Sequence, residues 1–134
     1  MGEVTVHVEA EINPTESEEK VNAAVTNILG DASIRIKPDG KIRILTAEAK
    51  GQESLVKLRN IMRGDRVRDA SRKALFRSIR GNTIRFCLNK QVAFAGHISF
   101  CEETSESPLG PLRITITTDN PQQLIQWLAE KTER

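Results

Sequence analysis

Residues 3–12 read EVTVHVEAEI, in which polar and apolar side chains alternate without interruption. A period of two places the apolar residues on one face of a β-strand and the polar residues on the other. A strand with one wet face is typical of an antiparallel or mixed sheet, because parallel sheets are normally covered on both faces. The apolar face consists of Val4, Val6, Val8, Ala10 and Ile12.

The residues after this strand predict a helix. Asn13-Pro14 ends the strand, and Thr15 and Glu18 stand at the spacing of a capping box. Apolar residues then recur at helical spacing between Val21 and Leu29. A glycine directly after Leu29 ends the pattern, as glycine commonly does at helix C-termini.

A hairpin and a long helical region come next. Two short alternations at residues 34–36 and 42–44 flank Pro38-Asp39-Gly40, which has the composition of a turn. From residue 52 to about residue 79 the apolar spacing is helical, but its phase changes after Gly64. We therefore expect two helices, or one helix kinked near Gly64.

The last third of the chain predicts three strands and a short helix. Gly81-Asn82 closes the preceding helix, and Lys90-Gln91 forms a turn or a local bulge between the first two of these strands. Asn120 followed by Pro121 has the chemistry of a helix N-terminus, and apolar residues up to Leu128 complete a closing helix. The predicted strands cover residues 84–89, 92–100 and 112–116.

The resulting element order, β-α-β-β-α-β-β-β-α, predicts a two-layer α+β fold. We expect an antiparallel or mixed sheet of about six strands with helices packed on one face. The length of 134 residues fits one domain covering residues 1–134, and 38% hydrophobic residues exclude a disordered chain. Because no apolar run approaches the ~18 residues of a membrane span, we expect a cytoplasmic protein.

The sequence gives little support to an enzyme. Cys87 and Cys101 form no CxxC pair and only two histidines could join them, so we expect thiols in a reducing compartment, with no metal ion and no cofactor. No G-x-S-x-G, H-E-x-x-H or Walker-type glycine loop is present. His97 beside Glu102-Glu103 is a weak acid–base candidate that is more typical of a solvated loop.

Charge is distributed unevenly along the chain. The stretch from Lys57 to Lys90 contains eleven basic and two acidic residues, a net charge of +9. The rest contains nine basic and sixteen acidic residues, a net charge of −7. If the basic stretch folds as one surface, the protein has a basic side suited to anionic partners.

The strongest candidate on this basic stretch is a helix face. Arg66, Lys73, Arg77 and Arg80 fall within an arc of about 60° on a helical projection, with Arg59 and Arg63 nearby if the kink is shallow. Such a row can meet successive phosphates, because each guanidinium offers a planar fork of donors. The alternative is a solvated face that is partly neutralised by its own acids.

A second candidate surface is the wet face of the sheet. It is either a ligand surface or a solvated face whose charges protect the sheet edges, and Phe86 and Phe94 are expected on the opposite, dry face. With one Trp and no Tyr, the chain has few aromatic side chains on which bases could stack. If the anionic partner is RNA, contacts would therefore go to its backbone and shape. The residues assigned to the wet face are His7, Arg35, Arg43, Arg85, His97 and Arg113.

The stretch GNTIRFCLNKQVA at residues 81–93 resembles an uncharacterised archaeal family classed as RNA-binding, as do residues 8–16, 107–111 and 119–121 with 127–128. The resemblance implies an archaeal protein whose fold is similar to the ribosomal protein that binds 5S rRNA. It assigns Asn89-Lys90-Gln91 to the family's polar cluster, and Arg59 and residues 69–72 to its helix. Where the family usually has Tyr after Phe86, this chain has Cys87.

Two functions follow from these patterns. The first is a non-enzymatic protein that grips the sugar-phosphate backbone of structured RNA, of ribosomal or tRNA-like type. The alternative is an interaction or scaffolding module, including a homodimer, in which the basic stretch docks on acids at residues 16–19 or 102–106. The residues predicted to bind RNA are Arg59, Arg63, Arg66, Arg72, Lys73, Arg77, Arg80, Asn89, Lys90 and Gln91.

Overall fold

The computed structural model describes residues 3–64, 67–101 and 110–130. These residues form one seven-stranded sheet and five α-helices, which confirms the predicted α+β class. The strands are β1 (Val4–Ile12), β2 (Ser33–Asp39), β3 (Ile42–Lys50), β4 (Ile79–Arg80), β5 (Thr83–Asn89), β6 (Phe100–Cys101) and β7 (Pro111–Thr118). The helices are α1 (Glu18–Ile28), α2 (Val56–Gly64), α3 (Arg68–Arg77), α4 (Lys90–Phe94) and α5 (Pro121–Leu128), and a 3-10 turn at Gln52–Leu55 precedes α2.

The sheet has the strand order β2-β3-β1-β7-β5-β4, with β6 also paired to β5, and every pair is antiparallel. The N-terminal strand β1 therefore lies inside the sheet, where Val6 is opposite Ala49 of β3 and Ile116 of β7. At the β5 end, β4 covers only the start of β5 and β6 covers only its end.

The core lies between the apolar face of the sheet and the helices. Along β1 every second residue is buried and the residues between are half-buried, as the alternation predicts. The helices bury Val25 of α1, Met62 of α2, Leu75 of α3 and Leu124 of α5 against this face. Each such side chain contributes about 1.5–3 kcal/mol on removal from water. None of the described helices combines the length and apolar character needed to cross a bilayer.

Of three local signals, the hairpin turn at Gly40 and the helix start at Asn120 were predicted correctly and the cap of α1 was not. Gly40, with a φ of +66°, lies in the β2–β3 hairpin turn, where a left-handed backbone favours glycine. The side chain of Asn120 accepts a hydrogen bond from the Gln123 amide at 3.0 Å and Pro121 opens α5. The capping box at Thr15 and Glu18 was wrong, because Ser17 caps α1 by accepting from the Lys20 amide.

The predicted strand over residues 92–100 was wrong. Asn89 accepts a hydrogen bond from the Val92 amide at 2.9 Å, which caps the short helix α4 in place of a turn or bulge. Only Phe100–Cys101 of this region pairs as a strand. Phe94, expected on the dry face, is 45% exposed because it lies on the outer side of α4.

The region after residue 52 forms two separate helices, which is one of the two predicted alternatives. They are α2 and α3 on either side of residues 65–66, but α3 ends at Arg77, earlier than predicted. Gly81 and Asn82 do not close a helix but form the turn between β4 and β5. The hydroxyl of Ser78 donates to the Ala74 carbonyl at 2.7 Å, which satisfies the last turn of α3.

The wet face of the sheet holds four of the six residues assigned to it. Arg43 lies opposite the buried Ile12, so that it is on the helix-covered face, where it forms an ion pair with Glu18 of α1. His97 follows α4 and belongs to no strand. The residues that do lie on the open face are His7, Arg35, Arg85 and Arg113.

Candidate nucleic-acid interface

A cleft of about 630 Å³ opens at the outer edge of β5, beside the end of α3. Arginines from four different elements line it: Arg77 of α3, Arg80 of β4, Arg85 of β5 and Arg113 of β7. Within the part of the chain that the structure describes, no Asp or Glu lines this cleft. The described lining of this cleft is therefore positively charged, which favours anionic ligands.

Strand register brings Arg85 and Arg113 together. Arg85 lies opposite Thr115, and Arg113 lies opposite Cys87, so the two arginines are diagonal neighbours on the open face of β5 and β7. Diagonal positions of an antiparallel pair are about 7–8 Å apart, within reach of long side chains. Both arginines therefore line the same cleft from neighbouring strands.

The β4–β5 hairpin brings in the other two arginines. Because α3 ends at Arg77 and β4 begins at Ile79, Arg80 follows Arg77 closely around a bend. One guanidinium nitrogen of Arg80 donates to the Arg77 carbonyl at 3.0 Å and to the Ile79 carbonyl at 2.7 Å. These bonds hold the Arg80 side chain at the mouth of the cleft, while Arg77 is exposed.

Two predicted RNA-binding arginines instead connect α2 and α3 to α5. The Nε of Arg59 donates to the Trp127 carbonyl at 2.9 Å, and its guanidinium lies 5.2 Å from the centre of the Trp127 ring. Arg72 donates to the Ala129 carbonyl at 3.2 Å and stacks over Phe76. Both side chains thus satisfy carbonyls at the C-terminal end of α5, where helices leave acceptors unpaired.

Arg59 also binds the Glu130 carboxylate, with 2.6 Å between Nη2 and Oε1. The hydrogen bond and the charge of Arg59 hold the pKa of Glu130 below its ordinary value of 4.5, and Arg63 and Arg68 add to the effect. Arg59 therefore connects α2 to the C-terminal end of α5.

Lys90 is 5% exposed. Its Nζ donates to the Glu11 carbonyl at 2.6 Å and to the two carboxylate oxygens of Glu16 at 3.0 and 3.2 Å. Glu16 also accepts from the backbone and side chain of Asn13. This buried ion pair fixes the start of α4 to the end of β1, and it places the Lys90 charge inside the protein.

The remaining predicted residues are spread over three surfaces. Asn89 is the cap of α4, and Gln91 is exposed on that helix, at the opposite end of β5 from Arg80. Arg63 and Lys73 are exposed on α2 and α3. Arg66 lies outside the described residues. Of the ten predicted residues, the structure thus gathers Arg77 and Arg80 at the cleft.

Sequence reasoning placed Arg85 and Arg113 on the wet face but left them out of the RNA-binding set. The available signal was the alternation of side chains along each strand, which puts Arg85, Cys87 and Arg113 on the open face of the sheet. What the sequence did not contain was the register that makes β5 and β7 neighbours. No cluster of three or more His, Cys, Asp or Glu side chains suited to a metal ion occurs among the described residues.

A protein-family model described as RNA binding matches residues 5–118, which include the whole sheet except Val4. The chain belongs to this family. It is 42% identical over 127 residues to a UPF0201 protein of Sulfurisphaera tokodaii, covering 95% of this chain and 88% of that protein. A UPF0201 protein of Saccharolobus solfataricus is 40% identical over 129 residues, covering 96% and 89%.

The same family has a solved structure that matches this fold. The UPF0201 protein of Methanococcus jannaschii superimposes with a TM-score of 0.84 at 27% identity, over 96% of this chain and 95% of that one. The chain is therefore an RNA-binding-family protein with close relatives among archaea, as its sequence resemblance implies. The family is described by RNA binding and not by a reaction.

Proposed function

We propose that this protein is a non-enzymatic RNA-binding protein of the cytoplasm that holds structured RNA by its sugar-phosphate backbone. The family supports RNA as the partner. The single observation that carries the mode of binding is the convergence of four arginines on one cleft whose described lining has no carboxylate. One guanidinium group can donate two parallel hydrogen bonds to the oxygens of a phosphate, and such contacts do not depend on the base. These arginines would therefore position the RNA without reading its sequence.

We infer that an RNA-contacting surface extends from the cleft to exposed cations on α3 and α2. Lys73 and Arg77 are four residues apart on that helix and both are exposed, so they face the same side about 5–6 Å apart. Arg63 of α2 adds an exposed cation on the neighbouring helix. This surface replaces the continuous helix face expected from sequence, and Lys90 is not part of it. The expected likeness to the 5S-rRNA-binding ribosomal protein and a ribosomal or tRNA-like target stay predictions.

A salt titration tests this proposal. With about five phosphates neutralised, log affinity for a structured RNA should fall against log salt with a slope of about −4 between roughly 50 and 300 mM, because bound cations are released from RNA. Arg77→Ala should weaken binding by the same factor for RNAs that differ in sequence but have the same ends, and it should reduce the slope by about 1. A flat salt response, or no binding at the lowest salt, contradicts the proposal.

The interaction-module alternative loses some of its expected acidic surface. Glu16, just before α1, is bound to Lys90, and Glu18 of α1 is bound to Arg43, so two of these acids already have partners within the chain. The acids at residues 102–106 lie outside the described residues. Sedimentation at low and high salt separates the two functions, since self-docking through opposite charges gives a dimer that dissociates as salt is raised.

A further inference from the structure

The shape of the arginine cleft limits what can enter it. Its volume of about 630 Å³ is that of a small-molecule site, and its walls come from α3, β4, β5, β6 and β7. An RNA duplex is far wider and presents its phosphates on a convex surface, so it can cover the mouth of such a cleft but not fill it. A single nucleotide at a strand end can enter.

The charge of the cleft limits the ligand further. Arg77, Arg80 and Arg85 have no described carboxylate beside them in the lining, whereas Arg113 lies opposite Glu9 of β1 in the sheet register. An internal phosphodiester brings one negative charge. A terminal phosphate brings about 1.5–2 charges near pH 7 and three acceptor oxygens, so it satisfies more of the clustered donors.

The cleft also has a less polar wall. Phe86 and Phe100 contribute to its lining, with ring centres 5.5 Å apart, and Cys87 and Cys101 lie beside them. Phe100 is half-buried, so part of its surface faces the cleft and can contact the sugar or base of a nucleotide. The register places Arg85 and Arg113 on the open face of the sheet and the two phenylalanines on its helix-covered face, so the cleft lies around the edge of β5 with charge on one side and aromatic rings on the other. These two sides suit the phosphate and the base or sugar of one nucleotide.

We propose that this cleft binds the terminal phosphate of an RNA strand, with the nucleotide that bears it against the Phe100 side. This inference rests on the proposed RNA-binding function and names the class of ligand, which is RNA with a phosphorylated, single-stranded end. The exposed cations of α2 and α3 then contact the structured part of the same RNA, and the cleft supplies the preference for its end.

The test uses one stem-loop RNA with a short single-stranded 5′ overhang that ends in a phosphate or a hydroxyl, and the same stem-loop with a 3′ overhang that ends in a phosphate or a hydroxyl. At one salt concentration, one of the phosphorylated forms should bind the full-length protein at least about tenfold more tightly than the hydroxyl form, since several charge-assisted hydrogen bonds depend on the phosphate.

Variants locate the preference in the cleft. Arg85→Ala and Arg77→Ala should each reduce the ratio of the two affinities towards one, and Arg85→Lys should restore part of it. Arg35→Ala, on the same open face but at the β2 end of the sheet, should leave the ratio unchanged. The ratio does not depend on the fraction of protein that is folded, so loss of stability in a variant does not imitate this result.

Cysteine labelling gives a second readout. Cys101 lines the cleft and is half-buried, so saturating phosphorylated RNA should slow its alkylation by a maleimide more than the hydroxyl RNA does at equal occupancy. Equal affinities for all RNA forms overturn this inference and leave the proposed function standing. Adenosine monophosphate that binds as tightly as phosphorylated RNA overturns it in favour of a free-nucleotide site. No binding of any RNA overturns both proposals.

Discussion

Arginines of one basic stretch take two different positions in this molecule. Arg59 and Arg72 lie under the end of α5 and donate to the carbonyls of Trp127 and Ala129. Arg77 and Arg85, farther along the same stretch, line an open cleft. Both pairs of arginines lie in the same basic stretch of sequence. Local net charge therefore does not distinguish arginines that stabilise the fold from arginines that face a ligand.

The difference comes from the acceptors that the fold brings near each side chain. A helix leaves its last carbonyls without intrahelical partners, and α5 ends where Arg59 and Arg72 can reach it. The β5 edge offers Arg77 and Arg85 no comparable set among the described residues, and Arg80 is intermediate because it caps α3 and still lines the cleft. Four predictions test whether each of these charged side chains affects stability or RNA binding.

The largest effect is expected at the buried ion pair. Lys90→Met leaves the Glu16 carboxylate buried without its partner, which should lower the free energy of unfolding by about 3 kcal/mol in urea denaturation. Adding Glu16→Gln should recover part of this loss, because the uncompensated charge is removed. RNA affinity of the folded Lys90→Met protein should stay the same, and a drop in it would move Lys90 into the binding surface.

The next effect is on binding alone. The double variant Arg77→Ala with Arg85→Ala should weaken binding of structured RNA by about 100-fold, equal to about 2.7 kcal/mol, because two charge-assisted phosphate contacts are lost. Its urea midpoint should match the wild type, since both side chains are exposed. Fluorescence anisotropy with a labelled stem-loop measures the affinity. A large fall in stability would mean that these arginines also hold the fold.

The opposite pattern is expected for Arg59→Ala. It removes a hydrogen bond to the Trp127 carbonyl, a cation–π contact and a partly exposed ion pair, so it should cost about 1.5 kcal/mol of stability. RNA affinity should change less than twofold. Thermal unfolding and anisotropy on the same sample check both values, and the division of the arginines fails if affinity falls while stability does not.

The smallest effect concerns pH. Because Arg59 lowers the pKa of Glu130 in the folded protein, their interaction stabilises the fold above the ordinary value of 4.5 and is lost as pH falls through the lowered pKa. As pH falls from about 6 through the lowered pKa of Glu130, the free energy of unfolding should thus decrease slightly more for the wild type than for Glu130→Gln. Denaturation at a series of pH values checks this, and parallel curves would contradict it.

Much of the fold follows from short-range signals in the sequence. The unbroken alternation of residues 3–12, the turn at Gly40 and the Asn120-Pro121 helix start each depend on neighbours only, and each was predicted correctly. The segment from Lys90 to Cys101 was mispredicted, because its alternation suits a strand while the Asn89 side chain stabilises a helical turn in the same place. A local pattern with two solutions needs tertiary contacts to decide it.

The candidate site depended on long-range information. Arg77 and Arg80 were predicted, but on one helix face, whereas the chain bends between them into β4. Arg85 and Arg113 become neighbours only through the β5–β7 register, and Lys90 becomes buried only because Glu16, far away in sequence, lies next to it. Sequence patterns therefore located the basic region but not which of its charges face outwards.

The position of β1 has a consequence for synthesis on the ribosome. Val4 of β1 is translated well before its partner on one side, Thr118 of β7. Until then β1 can pair only with β3, and its other side exposes unpaired backbone groups that favour aggregation. Vectorial synthesis thus delays closure of the sheet, and folding dominated by such distant pairings should be slow compared with a helical protein of equal length.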